Sequence, residues 1–506
     1  MVIRSNIPSL NNFVRVGIVA LVCLVFTQCK FFNPPEKVSK SGGEGGNEVE
    51  NNGKSADREA NADYLFDSEA VPHITLTLTK KDWQTYLRNY DTNPNNRLYV
   101  PAAFTFQKGE EVYKRDSVGL RPRGNTSRVR PVEGGQQAEY LTDNQWHHAH
   151  FGIRFNKYAT GKKFFGYDRI ILKWHNNDPA YCREMFCYDL MHRFQVWSAP
   201  KASYCRLTIS VEGDDIPVYM GVYLMVENPR KGWLEERQRK GYLQDTEGNL
   251  WKAAWGVDGD GNWSGADLSN SDIRRMGVSD DEGEKNYIYS LKSSPDRLAS
   301  AQAQLKAFID EMTPLKSGSD ALSQWLEQHV DIDLFLRATA VTVATGMWDD
   351  YWCNANNYYF YIDNLNRFYF IPFDYDNTLG TGQEAFGNPG TKDPRNWGPL
   401  DGSRILMRKV MSIPAFRQQY KQYLCQLVTD MELMQPDAAI QRVQRWQEMI
   451  REFVPNDTGE DMLLSDQPAR WSAYPMYRLL SGDSSDGINQ ESNFFKTKAK
   501  TIKELQ

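Results

Sequence analysis

Residues 368–380 read FYFIPFDYDNTLG, an unbroken apolar run that ends in two carboxylates and a turn glycine. Few arrangements accept such a sequence. Residues two apart on a strand face the same side, so Asp374 and Asp376 project together. Neighbouring carboxylates repel unless a cation or proton lies between them, and a strand interior does not accept them unpaired. The run has to be a strand that ends at a polar cleft or turn. Oxygen-rich, thiol-free clusters of this kind suit Mg²⁺ or Mn²⁺. A plain strand exit into a turn is the other reading of the same residues.

The preceding segment MWDDYWCNANNYYFY (347–361) brings Asp349, Asp350 and the tandem Asn356–Asn357 ahead of a second aromatic strand. An acid, an Asn, a strand turn and then a metal-type Asp is the order used in kinase-like phosphoryl transfer. There one Asp positions the acceptor hydroxyl, while the Asn and the later Asp hold metal. Spacing does not separate Asp349 from Asp350, and tandem Asn residues also cap turns.

Upstream, the pattern is mostly β. HITLTLT (73–79) alternates apolar and polar residues, and 80–90 reads as a short helix opening at Thr79. Strands are expected at 100–106, 111–120, 152–155, 169–173, 203–211 and 219–226, with a helix over 180–194. The Gly-, Asp- and Asn-rich stretch 257–286 reads as a long loop. Helices are expected over 297–346, 401–452 and 490–505, and the strands 358–362 and 367–373 join through Asp363–Asn366. The expected class is α+β, with a β-rich first lobe over 65–300 and a mostly helical second lobe over 301–506 that carries the hairpin.

The N-terminus reads as an address. Arg4 and Arg15 precede VGIVALVCLVF (16–26), about the length of a signal-peptide core and short for a membrane span. Cys29 follows directly and resembles a lipoprotein cleavage site, although Gln28 departs from the small residue usual before such a Cys. Residues 1–28 are the expected signal peptide, and the Gly/Asn/Glu/Ser/Lys-rich 29–64 the tether of a domain held off a membrane. This places the protein outside the cytoplasm, lipid-anchored in the outer membrane or at the cell surface of a Gram-negative bacterium. The formal charge of -6 argues against non-specific nucleic-acid binding. The remaining Cys182, Cys187, Cys205, Cys353 and Cys425 allow at most two disulfides, and without His at ligand spacing no zinc site is expected.

Three blocks of sequence resemble the CotH kinase family, an atypical protein-kinase-like group named for spore coat protein H. VGLRPRGNTS (118–127) is similar to the family's Gly-Arg-Gly-Asn-Ser signature. FGIRFNKY…KKFFGYDRIILKWHNNDPAYCREMFCYDL (151–190), MGVYLMVENP (220–229) and LWK (250–252) follow its middle region in order. NNYYFY…FYFIPFDYDNTLG (356–380) is similar to its asparagine–aromatic strand and metal-binding Asp motif. The resemblance spans about 70–420 and implies a two-lobed kinase-like fold that uses ATP with Mg²⁺ or Mn²⁺.

Carried over residue by residue, Asp374 matches the metal-binding Asp, Asp376 its companion acid and Asn357 the Asn before the aromatic strand. Arg123, Gly124, Asn125 and Ser127 match the signature expected over the phosphates, where Gly admits close backbone approach and Arg offers a fork of donors. Glu184 is the candidate for the helix glutamate that pairs a phosphate-holding lysine, with Lys173 or Arg154 as its partner. Glu227, at Asn228–Pro229, lies where a hinge would meet adenine; a strand-end cap is the alternative. Asp349 and Asp350 share candidacy for the catalytic acid. The chain lacks GxGxxG and HRD sequences, Pro122 splits the signature arginines, and 131–150 reads as a solvated polar insertion with His147, His148 and His150, a metal site being the other reading of the three.

Three functions compete. The first is phosphoryl transfer from ATP to protein Ser or Thr hydroxyls. The second is a hydrolase of the haloacid dehalogenase type, since Asp374 to Thr378 satisfies its DxDxT pattern and Gly482, Asp483 and Asp486 mimic its later motif. The third is a non-catalytic surface module that binds a glycan or protein through aromatic residues.

Overall fold

Two apolar cores divide the molecule, and three neighbouring strands contribute to both. The computed structural model describes residues 62–505 except 126, 133–145, 160–161, 177, 179, 214–216, 280–286, 382–385, 402 and 455–493. The signal segment, Cys29, all but the last residues of the tether, and Gly482, Asp483 and Asp486 lie outside the described residues.

The first seven strands are β1 (His73–Leu78), β2 (Val100–Lys108), β3 (Glu111–Arg123), β4 (His150–Arg154), β5 (Arg169–Lys173), β6 (Ala202–Val211) and β7 (Val218–Glu227). They close into a barrel in the order β1-β2-β3-β4-β5-β7-β6, sealed by parallel pairing of β6 with β1. Closure removes the sheet edges. Alternate residues fill the interior: Ile74, Leu76, Phe104, Phe106, Leu120, Phe151, Ile153, Ile170 and Leu172. Helix α1 (Lys80–Thr92), capped by the Thr79 side chain, packs Trp83 and Tyr86 into the same core.

Strand β5 explains the cleft. RIILK does not alternate, because both faces are covered: Ile170 and Leu172 point into the barrel, while Ile171 belongs to the second core. Helix α2 (Arg183–Arg193) covers this outer face. Period two then places Lys173 on the same side as Ile171.

The second core holds helix α3 (Lys231–Arg239), strands β8 (Asn249–Ala253), β9 (Gly256–Val257), β10 (Trp263–Ser264), β11 (Met276–Gly277) and β12 (Tyr289–Leu291), and helices α4 (Leu298–Met312), α5 (Asp320–His329), α6 (Ile332–Ala344) and α7 (Tyr351–Asn354). Strands β13 (Tyr358–Ile362) and β14 (Phe368–Pro372) follow, then helices α8 (Ile405–Ser412), α9 (Pro414–Thr429), α10 (Pro436–Ile450) and α11 (Phe494–Lys503). Five strands form one sheet, ordered β11-β12-β8-β13-β14. Residues 249–253, expected in the first lobe, thus pair with the hairpin of the second, because Trp251 and Phe360 continue one apolar row. The stretch expected as a loop over 257–286 also carries short pairings. Strand β14 runs antiparallel to β13, its partner in the sheet. The described residues around Asp374 therefore do not form the parallel core of a haloacid dehalogenase. Among the described residues the five cysteines form no disulfide.

Candidate active site

Lys173 is the meeting point. Its ammonium lies 2.5 Å from Glu184 Oε2 and 3.4 Å from Asp376 Oδ2, and it donates to Asp374 Oδ1. A strand end, a helix and the β14 terminus thus converge on one cation that is only 8% exposed. The alternative partner, Arg154, bonds Asn156 instead. Burial opposes the charged ammonium, but the three acids outweigh it and hold the lysine well above its usual range.

The two carboxylates behave differently. Burial acts to raise Asp374, yet Lys173, Arg123 and Lys252 override it and keep the carboxyl below its usual range. Burial pushes Asp376 up to about 7, with Lys173 opposing and Asp374 adding to the rise. Their side chains remain 37% and 34% exposed, so both face an opening. Asp374 also adopts φ +66°, a left-handed backbone rare outside glycine. Its N–H donates to the Tyr188 hydroxyl (3.0 Å), which itself donates to Glu184 Oε1 (2.9 Å). The following turn is anchored where Arg183 Nε donates to the Thr378 carbonyl and Leu379 N to Thr345 O.

The neighbouring acids separate clearly. Asp350 is buried and caps α7, accepting from the N–H groups of Trp352 and Cys353. Burial pushes it up to about 6. Asp349 instead gathers side-chain amides: Asn354 (2.6 Å) and Asn356 (3.1 Å) on Oδ1, Asn357 (3.0 Å) and Asn377 (3.4 Å) on Oδ2. Burial raises its pKa, and Asp374 adds to the rise. Asn357, itself at φ +53°, commits its amide to Asp349 and keeps its carbonyl oxygen.

Arg123 ends β3 with its guanidinium 5.6 Å from the centre of the Phe373 ring. Gly124 turns the chain at φ +108°, where a Cβ would press on Ser127 and Arg128. Arg128 then ties the turn down through Gly124 O, Pro94 O and Asn96 O, leaving Asn125 exposed.

Two expectations are corrected. Glu227 is fully buried and accepts from Tyr167 Oη, both terminal nitrogens of Arg237 and Lys201 N, so it presents no free oxygen to a base. His148 and His150 are not solvated. His148 stacks on Trp174, and His150 Nδ1 accepts the Trp174 N–H. Burial, helped by Lys173, lowers His150 to about 3.

Sequence reasoning missed Tyr188, four residues beyond Glu184 and so one helical turn away. It also missed a set of cations. Lys252 projects from β8 on the face shared by Tyr359, its register partner on β13. Burial and Arg123 lower it to about 7, against the pull of Asp374. Lys292, Arg230 and Arg121 extend the same positive field. Among the described residues no group of three His, Cys, Asp or Glu is arranged to hold a metal ion.

Compared with known proteins, the chain matches the family model described as CotH kinase protein over residues 120–496. No curated protein matches it.

Proposed function

The chain belongs to the CotH kinase family, and from that premise we propose that it is an atypical kinase that moves the γ-phosphoryl group of ATP to Ser or Thr hydroxyls of a protein. The observation that carries the reading is the convergence of Lys173, Glu184 and Asp374. A kinase site needs its Lys–Glu pair and its metal-binding Asp in place together. The barrel with α2 would form one lobe, the helices and second sheet the other, and nucleotide would enter between them.

A divalent ion fits the donors present. Mg²⁺ takes one or two carboxylates and completes its shell with water and phosphate oxygens, and Asp374 and Asp376 are half-open to solvent. Asn357 would add its carbonyl oxygen. When bound, Mg²⁺ or Mn²⁺ supplies neutralisation of phosphate charge. The chain's own groups do the rest. Lys173, fixed by Glu184, and Arg123 hold phosphate oxygens. Asp349 orients the acceptor hydroxyl and takes its proton as the new O–P bond forms and the bond to the leaving diphosphate breaks. Its raised pKa makes it a stronger base than an ordinary carboxylate. The long Asn377 contact is the one an acceptor hydroxyl would replace. Cys29 would carry the lipid that holds this domain outside the cytoplasm, where the protein acceptor is met.

The test is ATP turnover and phosphate transfer by the wild type and by Lys173→Met, Asp374→Ala and Asp349→Asn, with folding checked by circular dichroism. The reading requires divalent-dependent turnover lost in all three. Equal turnover in wild type and folded Asp374→Ala removes the site. Absence of turnover everywhere leaves a binding module on this fold.

A further inference from the structure

The cleft holds more positive charge than the carboxylate end uses. On the barrel, Arg121 and Arg123 share the outward face of β3. Arg121 lies flat over Gly152, its guanidinium Nε 3.5 Å from where a Cβ would stand, and donates to Tyr99 Oη at 3.1 Å. Lys157 Nζ sits 5.4 Å from the centre of the same Tyr99 ring. From the opposite sheet come Lys252, opposite Ser290 on β12, and Lys292, whose N–H bonds Leu250 O two register steps further on. Arg230 links the groups by donating to the Lys292 carbonyl, while its own Nε is buried with no hydrogen-bond partner.

Among the described residues, the acids that act on this cluster, Asp374 on Lys252 and Asp168 on Arg230, are already paired. Asp374 is taken by Lys173, and Asp168 lies 3.3 Å from Arg169. The charged groups that act most strongly on Lys292 are Arg230, Arg97, Lys252 and Arg121, all cations, and with burial they hold its pKa well below the usual range. Tyr99 records the same field: burial acts to raise its phenol, yet Arg121, Arg169 and Arg230 bring it below its usual value. Half-buried like charges gathered from separate strands either shed protons or draw in an anion that holds them charged. Guanidinium forks and ammonium groups together match tetrahedral oxyanions.

We propose that Arg121, Arg230, Lys252 and Lys292 form an oligophosphate site that binds without a divalent ion, beside the Asp374 carboxylates and distinct from them. It stands whether or not the protein transfers phosphate. The anion belongs either to the nucleotide or to a phosphate-bearing acceptor.

The probe is sodium pyrophosphate, titrated calorimetrically into the full chain in EDTA. Wild type and Asp374→Ala should both bind it. Lys252→Met/Lys292→Met should weaken binding at least tenfold while its melting midpoint stays level or rises, since repulsion is relieved. Arg230→Gln serves as a second variant should the double one misfold. Pyrophosphate displaced by a non-hydrolysable ATP analogue assigns the site to the nucleotide; both bound together assigns it to an acceptor. No binding to wild type, or equal binding to wild type and folded charge variants, overturns the proposal. Loss of binding in Asp374→Ala overturns its independence from the carboxylates.

Discussion

Two buried ion networks, built from nearly the same residue types, end in opposite conditions. At the close of β7, Glu227 accepts four hydrogen bonds, two of them from the fork of Arg237, and has no exposure. At the close of β14, Asp374 shares one ammonium with Asp376 and Glu184, keeps 37% of its side chain exposed and bends into a left-handed backbone. Each sits at a strand end, and each pairs with a cation on another element. The first is saturated, and so stabilises. The second is under-supplied with protons and open to solvent, and so can take a ligand. Saturation and exposure, rather than the presence of charge, separate a structural network from a site.

The contrast can be broken by substitution, and the largest effect should fall on the open network. Asp374→Ala is expected to lower ATP turnover at least a thousandfold, about 4 kcal/mol in barrier, with little change in the unfolding midpoint. A large loss of stability in place of activity would put Asp374 in the structural class. Glu227→Gln should do the reverse. Breaking one side of a buried pair costs about 3 kcal/mol, read as a lower urea midpoint, while turnover per folded molecule holds. Should turnover fall without loss of stability, the saturated network has a role beyond the fold.

A smaller effect tests the link between Glu184 and Asp374. Tyr188→Phe removes one hydroxyl that serves a charged acid and a strained N–H. About 1.5 kcal/mol is expected, seen as a tenfold loss of turnover and a weaker apparent affinity for Mn²⁺. An unchanged metal titration would make Tyr188 plain packing. The smallest effect separates the adjacent acids. Burial raises Asp350 to about 6, against about 3.9 in the unfolded chain. The folded state then binds the proton more tightly. Its stability contribution is full below about pH 4 and is lost as pH rises through 6. Asp350→Asn, which still caps α7, should change stability by less than about 1 kcal/mol at about pH 4 and flatten that slope in melting curves taken from pH 4 to 7. An unaltered slope would assign the titration to another group.

The residues that converge on Lys173 were legible because each carries a local rule. Strand period places Lys173, a helix start places Glu184, and an apolar run ending in acids places Asp374. Glu227 obeyed the same rule at its strand end and was misread, since its saturation depends on Tyr167 and Arg237, which no spacing connects to it. His148 and His150 looked solvated because their segment is polar, but Trp174 buries them. The cations of the cleft come from β3, β7's exit, β8 and the residue after β12, so no motif announces them. Barrel closure was equally hidden, for it needs β6 to pair in parallel with β1 across more than a hundred residues. The short strands β8 and β12 resemble their neighbours in sequence, and only the register of β8 with β13, and of β12 with β8, assigns them to the second sheet.

Strand β5 contributes Ile170 and Leu172 to one core and Ile171 to the other before ending at Lys173. A protein divided there has no seam. Expressing either half alone would strand one apolar face of β5 in water, so the halves are unsuited to transplantation, circular reshuffling or split-reporter designs that cut between them. For the same reason, a packing change deep in the barrel, such as Leu172→Ala, should be felt at the ammonium of the next residue.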